Sequence, residues 1–179
     1  MLKKIVAVIV LGVAGFLAYV ATLPDVYQLT RSAVISAPPE AVFGHLEDFR
    51  KWDAWSPWAK RDPNAKATFS GEAKGKGAVF AWDGNSDVGV GKMTIVQSRP
   101  AQGLNIKLDF TKPYESTSNV VFLLKPEGGG TRVTWSMSGR QSFFERAMCT
   151  AMGGLERLVG PDYEKGLANL KAVAEGKKG

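Results

Sequence analysis

Residues 31–58 read RSAVISAPPEAVFGHLEDFRKWDAWSPW (Arg31–Trp58), and the order of elements inside this stretch decides the fold. Its first part continues a run from Val26 to Ala37, VYQLTRSAVISA, rich in β-branched residues and ended by Pro38-Pro39. Such a run predicts a strand. Two prolines suit the first turn of a helix, and Glu40 favours the positive N-terminal end of the helix dipole. Val42, Phe43 and Leu46 then form a small apolar face. Phe49 to Trp55 forms a second short helix, with Asp53 as a candidate cap, and Pro57 ends it. Three of the five tryptophans, Trp52, Trp55 and Trp58, fall within this turn. Trp52 and Trp55 lie three apart and share a helix face. They are expected to form a lid over one end of the core, Trp55 pointing inward and Trp58 nearer the rim; a pocket mouth and a membrane contact are the other readings.

Downstream come six short β patterns separated by turn residues: AKATFSG, GAVFAWDGN, VGVGKMTIVQS, LNIKLDF, SNVVFLLKP and TRVTWSMSG. In the second, Phe80 and Trp82 share a face, and Asp83-Gly84-Asn85 reads as the turn. LNIKLDF alternates strictly: Leu104, Ile106, Leu108 and Phe110 point one way, Asn105, Lys107 and Asp109 the other. In the last, Val133, Trp135 and Met137 oppose Thr134, Ser136 and Ser138, and Glu127-Gly128-Gly129-Gly130 makes the preceding turn. One-sided alternation of this kind belongs to an antiparallel sheet with one wet face.

The C-terminal part is helical. Phe144, Met148, Met152, Leu155, Val159, Tyr163, Leu167, Leu170 and Ala174 recur at steps of three or four, which predicts one apolar stripe. Gly160-Pro161 lies in its middle, and the stripe keeps its phase across it, so a single kinked helix is expected.

The order strand, two short helices, six strands, long helix resembles the START-like helix-grip (SRPBCC) superfamily. The closer resemblance is to its polyketide cyclase/dehydrase and lipid-transport branch. It rests on Arg31–Trp58, on GNSDVGVGKMTIVQSRP (Gly84–Pro100) and on GGTRVTWSMSG (Gly129–Gly139). The resemblance implies an α+β fold in which a seven-stranded antiparallel curved sheet grips the long C-terminal helix. It also implies an apolar cavity between sheet and helix that in many relatives holds a lipid, sterol or polyketide. The residues expected to line it are Trp55, Phe80, Trp82, Ile106, Phe110, Phe122, Trp135, Met137, Phe144, Met148, Met152 and Leu155. The same aromatics are also able to fill it.

The chain opens MLKKIVAVIVLGVAGFLAYVATLPD, with no charge from Ile5 to Leu23. At about 1.5 Å per residue this makes roughly 28 Å of helix, close to the hydrocarbon thickness of about 30 Å. Tyr19 stands where an interfacial aromatic belongs. A cleaved signal peptide shares the basic start, but cutting after Ala21 or Ala18 puts Tyr19 or Phe16 at the position three residues back, where a small residue is needed. Residues 1–24 therefore read as an uncleaved signal anchor and residues 25–179 as the START-like domain. Lys3 and Lys4 hold the N-terminus in the cytoplasm and turn the domain outward, into the periplasm if the source is Gram-negative.

With 179 residues the chain holds one ordinary domain plus this appendage. The formal charge is +6. Its lysines and arginines are scattered, apart from the terminal pairs Lys3-Lys4 and Lys177-Lys178, and no basic stripe with interleaved aromatics suggests nucleic acid. Cys149 is the only cysteine, so no intrachain disulfide forms; it reads as a small apolar helix residue. His45 is the only histidine and has no partner for a metal site. Gly128–Thr131 is a turn, GEAKGKG lacks the strand-to-helix setting of a nucleotide loop, and GVGKMT lies in a strand without the upstream glycine, so no cofactor is indicated. Asp109, Lys107 and Arg132 fall on wet faces. The leading expectation is a membrane-tethered, non-catalytic binding domain for an apolar small molecule or lipid. A cyclase or dehydratase, which needs an inward acid or base, and a closed-core envelope scaffold are the alternatives.

Overall fold

The computed structural model describes residues 1–176; the pair Lys177-Lys178 lies outside the described residues. Helix α1 (Leu2–Thr22) leads into β1 (Val26–Ile35), α2 (Pro39–Leu46) and a 3-10 helix (Phe49–Ala54). Strands β2 (Lys66–Gly71), β3 (Ala78–Asp83), β4 (Val90–Arg99), β5 (Gly103–Lys112), β6 (Ser116–Glu127) and β7 (Gly130–Arg140) follow, then α3 (Phe143–Ala151) and α4 (Leu155–Ala174). All seven strands are antiparallel in the order β1-β7-β6-β5-β4-β3-β2, so the chain's first strand pairs with its last. From β2 to β7 consecutive strands are joined by hairpins, while β1 and β2 lie at opposite edges and are connected through α2 and the 3-10 helix. The β6–β7 turn needs positive φ at two successive residues, and Gly128 (57°) and Gly129 (78°) supply it. The β3–β4 connection is longer than the three-residue turn expected at Asp83-Gly84-Asn85: it runs to Gly89, whose N–H and that of Val88 bond to the Asn85 carbonyl.

The period-2 pattern sets the register. Leu29, Met137, Val120 and Ile106 face inward on β1, β7, β6 and β5, and Ile95 continues the row on β4. α4 lays Leu155, Val159, Tyr163, Leu167 and Leu170 against this concave face, and α2 adds Val42, Phe43 and Leu46. Arg31 on β1 ties the helix down through ion pairs to Glu156 and Glu164, two turns apart on α4. The 3-10 helix is capped by Asp48, which accepts from Arg50 N–H, while Asp53, the expected cap, lies inside it. The reason is position: Asp48 is the residue just before the first turn, where a carboxylate meets a free backbone donor.

The C-terminal region departs from the single helix expected. α3 ends at Ala151, and Gly153 (φ 98°) and Gly154 (φ 86°) break the chain before α4 begins at Leu155. Two successive residues in a conformation open to glycine reset the helical phase. Pro161 instead sits inside α4, which runs through it. The apolar residues of α3 therefore do not continue the stripe of α4.

Candidate ligand-binding site

The concave face of the sheet has two unequal halves. Over β1, β7 and β6 it is closed by an aromatic stack. Trp135 on β7 is sandwiched between Phe122 (centroids 4.9 Å apart) and Tyr163 of α4 (4.0 Å). Trp55 and Trp58 meet its edge at 5.7 and 5.9 Å, and Trp52 packs on Trp55 at 4.7 Å. The indole N–H groups of Trp52 and Trp55 donate to the carbonyls of Leu46 and His45, which locks the turn onto α2. Trp135 Nε1 is buried and has no acceptor among the described residues. Burial pushes the Tyr163 phenol well above its ordinary pKa, so it stays neutral. Trp55 is buried and Trp58 half-buried, and the three tryptophans pack inward rather than present a face to solvent.

Over β3 and the parts of β4 and β5 beyond the buried Ile95, Leu104 and Ile106, the face is only half covered. Phe80, Trp82, Met93, Leu108 and Phe110 are all half-buried. They form a ribbon of rings: Phe80 stacks between Phe69 (5.1 Å) and Trp82 (5.7 Å), and Phe110 meets the edge of Trp82 (5.5 Å). Gly91 lets the Trp82 ring lie flat on β4, since a Cβ there would stand 2.8 Å from it.

At the end of the sheet nearest α3 lies an open cavity of about 900 Å³. Its walls combine Tyr27, Ser118, Gly139 and Glu145 with outward-register residues of the same strand ends, among them Gln28, Lys107, Asn119 and Arg140. Tyr27 and Ser118 share a hydrogen bond of 2.6 Å. Both sit in the inward register, Tyr27 two residues before Leu29 and Ser118 two before Val120. Burial raises the Tyr27 pKa, partly offset by the Ser118 bond, so its hydroxyl stays protonated and able to donate. Gly139 opposite Tyr27 makes room for its ring; a Cβ there would lie 2.6 Å from the hydroxyl. Glu145 has a prior engagement, accepting from Ser142 N–H (2.7 Å) in the capping box that starts α3.

The expected lining residues are thus distributed. Trp55, Phe122, Trp135, Met137 and Ile106 are buried in the core, with Leu155 packed against it. Phe80, Trp82 and Phe110 form the half-open ribbon, and Phe110 also borders a shallower hollow of about 370 Å³ next to the larger cavity. Phe144, Met148 and Met152 are elsewhere: they stand exposed on the outer side of α3, because the break at Gly153-Gly154 detaches them from the helix that covers the sheet. None of these twelve borders the 900 Å³ cavity. Tyr27 and Ser118 do, and only the pairing of β1 and β6 with β7 brings them together. His45 is half-buried on α2, away from this cavity, its pKa lowered by burial and by the Lys51 ammonium.

Comparison with known proteins places this architecture. The chain is similar to the Aha1 dimer from Colwellia psychrerythraea at 17% identity and a TM-score of 0.62, covering 86% of this chain and 99% of that one. A protein from Rhizobium leguminosarum aligns at 13% identity and a TM-score of 0.61, over 86% and 97% of the two chains. CalU16 from Micromonospora echinospora aligns at 19% and 0.57, over 88% and 81%. At these identities the likeness establishes the fold. No curated protein matches. Residues 27–175 match the description "Polyketide cyclase / dehydrase and lipid transport", which spans the sheet, the short helices and α4. The chain belongs to that family, a branch of the START-like helix-grip superfamily.

Proposed function

We propose that this protein is a membrane-anchored, non-catalytic binding domain for an apolar small molecule or lipid, with residues 1–24 as the anchor and 25–179 as the binding domain. The observation that carries the reading is the half-covered ribbon Phe80–Trp82–Met93–Leu108–Phe110 on the inner face of a fold whose family binds hydrophobic ligands. Apolar surface left open on an inner face gains free energy when a ligand covers it, about 25 cal/mol per Å². The Tyr27–Ser118 hydroxyl pair beside it supplies a fixed polar point for a ligand's headgroup. Support for the anchor is α1, 21 residues long with a mean hydropathy of 2.5 and almost wholly exposed; a signal sequence has the same features. Lys3 and Lys4 favour a cytoplasmic N-terminus and an outward domain. A catalytic reading would need an acid–base pair aimed into the cavity; of the inward groups there, Tyr27 and Ser118 bond to each other and Glu145 is engaged in a helix cap.

A closed-core scaffold is the second reading, favoured by the stack of Trp55, Phe122, Trp135 and Tyr163 that fills the other half of the face. The experiment that separates the two is purification of the full chain from native membranes in mild detergent, followed by solvent extraction and mass spectrometry. A single apolar compound recovered in proportion to protein is the expected result. Repeated preparations without one overturn the binding reading in favour of the scaffold.

A further inference from the structure

The amphipathicity of α3 is inverted. At 100° per residue, Phe143, Ala147, Ala151, Phe144, Met148 and Met152 occupy one half of the helix, and Glu145, Arg146, Cys149 and Thr150 the other. The polar half is the one turned toward the protein: its four residues are all half-buried, and Glu145 walls the cavity beneath. The apolar half faces out, with Phe143 45%, Phe144 57%, Met148 42% and Met152 56% exposed. In water this orientation is unfavourable, because large side chains stay wet while polar groups are partly desolvated.

The position of α3 says what covers the face. Arg146 Nε donates to the Val20 carbonyl (3.1 Å), one of the last carbonyls of α1, and Val20 is fully buried there. The end of the apolar helix is therefore fastened to α3. Tyr19 at the same end is exposed, as is Tyr114, whose ring meets the edge of Phe144 at 5.9 Å. Tyrosines at the end of a spanning helix lie at the headgroup level, and an amphipathic helix in that plane buries its apolar face about 5–10 Å into the boundary. Arg157, which lies over Gly153 beside Met152, adds an exposed cation suited to anionic headgroups.

We propose that Phe143, Phe144, Met148, Met152 and Tyr114 form a membrane-docking face that rests in the headgroup–acyl boundary of the bilayer spanned by α1. This rests on the reading of α1 as an anchor. It sets the cavity walled by Tyr27, Ser118 and Glu145 directly behind the docked helix, on the membrane side of the domain.

The test uses the full chain in nanodiscs of phosphatidylcholine and phosphatidylglycerol, with Cys149→Ala as background. Spin labels are placed singly through Phe144→Cys, Met148→Cys and Met152→Cys, with Val8→Cys on α1 and Lys125→Cys at the opposite end of the sheet. Relaxation by oxygen, which concentrates in lipid, is compared with relaxation by a water-soluble nickel chelate. Docking predicts that the three α3 labels and Val8 respond mainly to oxygen and Lys125 to nickel. Nickel-dominated labels on α3 with an oxygen-dominated Val8 overturn docking and leave the anchor standing. Nickel dominance at both overturns both. Oxygen dominance on α3 alone overturns the anchor, and with it docking on a bilayer that α1 spans. Dipolar broadening between Met148 labels puts a second copy on the face and overturns the lipid.

Discussion

Gly166 on α4 lies where the helix comes nearest the sheet. A Cβ there would stand 2.7 Å from the Trp135 ring and 3.2 Å from Pro57. The Trp135 ring is held on both faces by Phe122 and Tyr163, so it has no room to yield. Gly166→Ala gains helix propensity of up to about 1 kcal/mol, but overpacking of this kind costs about 1–3 kcal/mol. A net loss of stability is expected, read as a lower urea midpoint with an unchanged m-value. His45 supplies a second test at this scale. Burial and then Lys51 depress its pKa below the ordinary value of about 6.5. As pH falls, the unfolded chain takes up this proton before the folded one does, so stability contributed by neutral His45 is complete above about pH 6.5 and is lost as pH falls through the folded pKa. His45→Gln should flatten the decline in melting temperature between about pH 7 and about pH 5. An unchanged decline would assign the effect to other groups.

Among the elements, the strands are readable from sequence because a period of two runs along them, interrupted on β4 by register shifts at Val90/Gly91 and Ile95/Gln97. Leu104, Ile106, Leu108 and Phe110 needed no other information to be placed on one face. The C-terminal helices were harder. Steps of three and four from Phe144 to Ala174 run through Gly153-Gly154 without a gap, and hydrophobic spacing does not register a backbone turn; the paired glycines were the available signal, outweighed by the more conspicuous Gly160-Pro161. Tyr27 and Ser118 escaped notice because polar residues at strand starts are common, and only the pairing of β1 with β7 and β7 with β6 brings them together. The β1–α4 clamp was also invisible, since Arg31 and Glu164 are joined by tertiary structure alone. Its worth is modest. The carboxylates are largely exposed, so Arg31→Met should lower the melting temperature only slightly, and added salt should shrink the difference from wild type. A large, salt-independent loss would mean that the guanidinium's packing against Gly160 matters more than its charge pairs.

At the scale of the whole molecule, the two halves of the concave face differ in how far they are closed. The aromatic stack around Trp135 closes one half and joins sheet, α2, the 3-10 helix and α4 into a single core. The other half keeps five apolar side chains only half covered. If that half is the binding surface, filling it should abolish binding without disturbing the stack. Leu108 is the position to fill: it pairs with Met93 on one side and Ser118 on the other, between the ribbon and the hydroxyl pair. Leu108→Trp adds bulk at a half-buried position on the rim of the core rather than inside it, so the overpacking penalty is smaller than in the stack and the melting temperature should change little. A dansyl-labelled fatty acid titrated into the full chain in nanodiscs should bind the wild type with enhanced, blue-shifted emission, after subtraction of its partitioning into empty nanodiscs. Loss of about 1.4 kcal/mol of apolar contact weakens the dissociation constant about tenfold. Trp135→Leu, in the closed half, should lower the melting temperature and leave the dissociation constant within about twofold of wild type, a difference of roughly 0.4 kcal/mol. The reverse pattern, with binding lost at Trp135 and kept at Leu108, would move the ligand from the open ribbon into the stack, and the stack would then have to open to admit it.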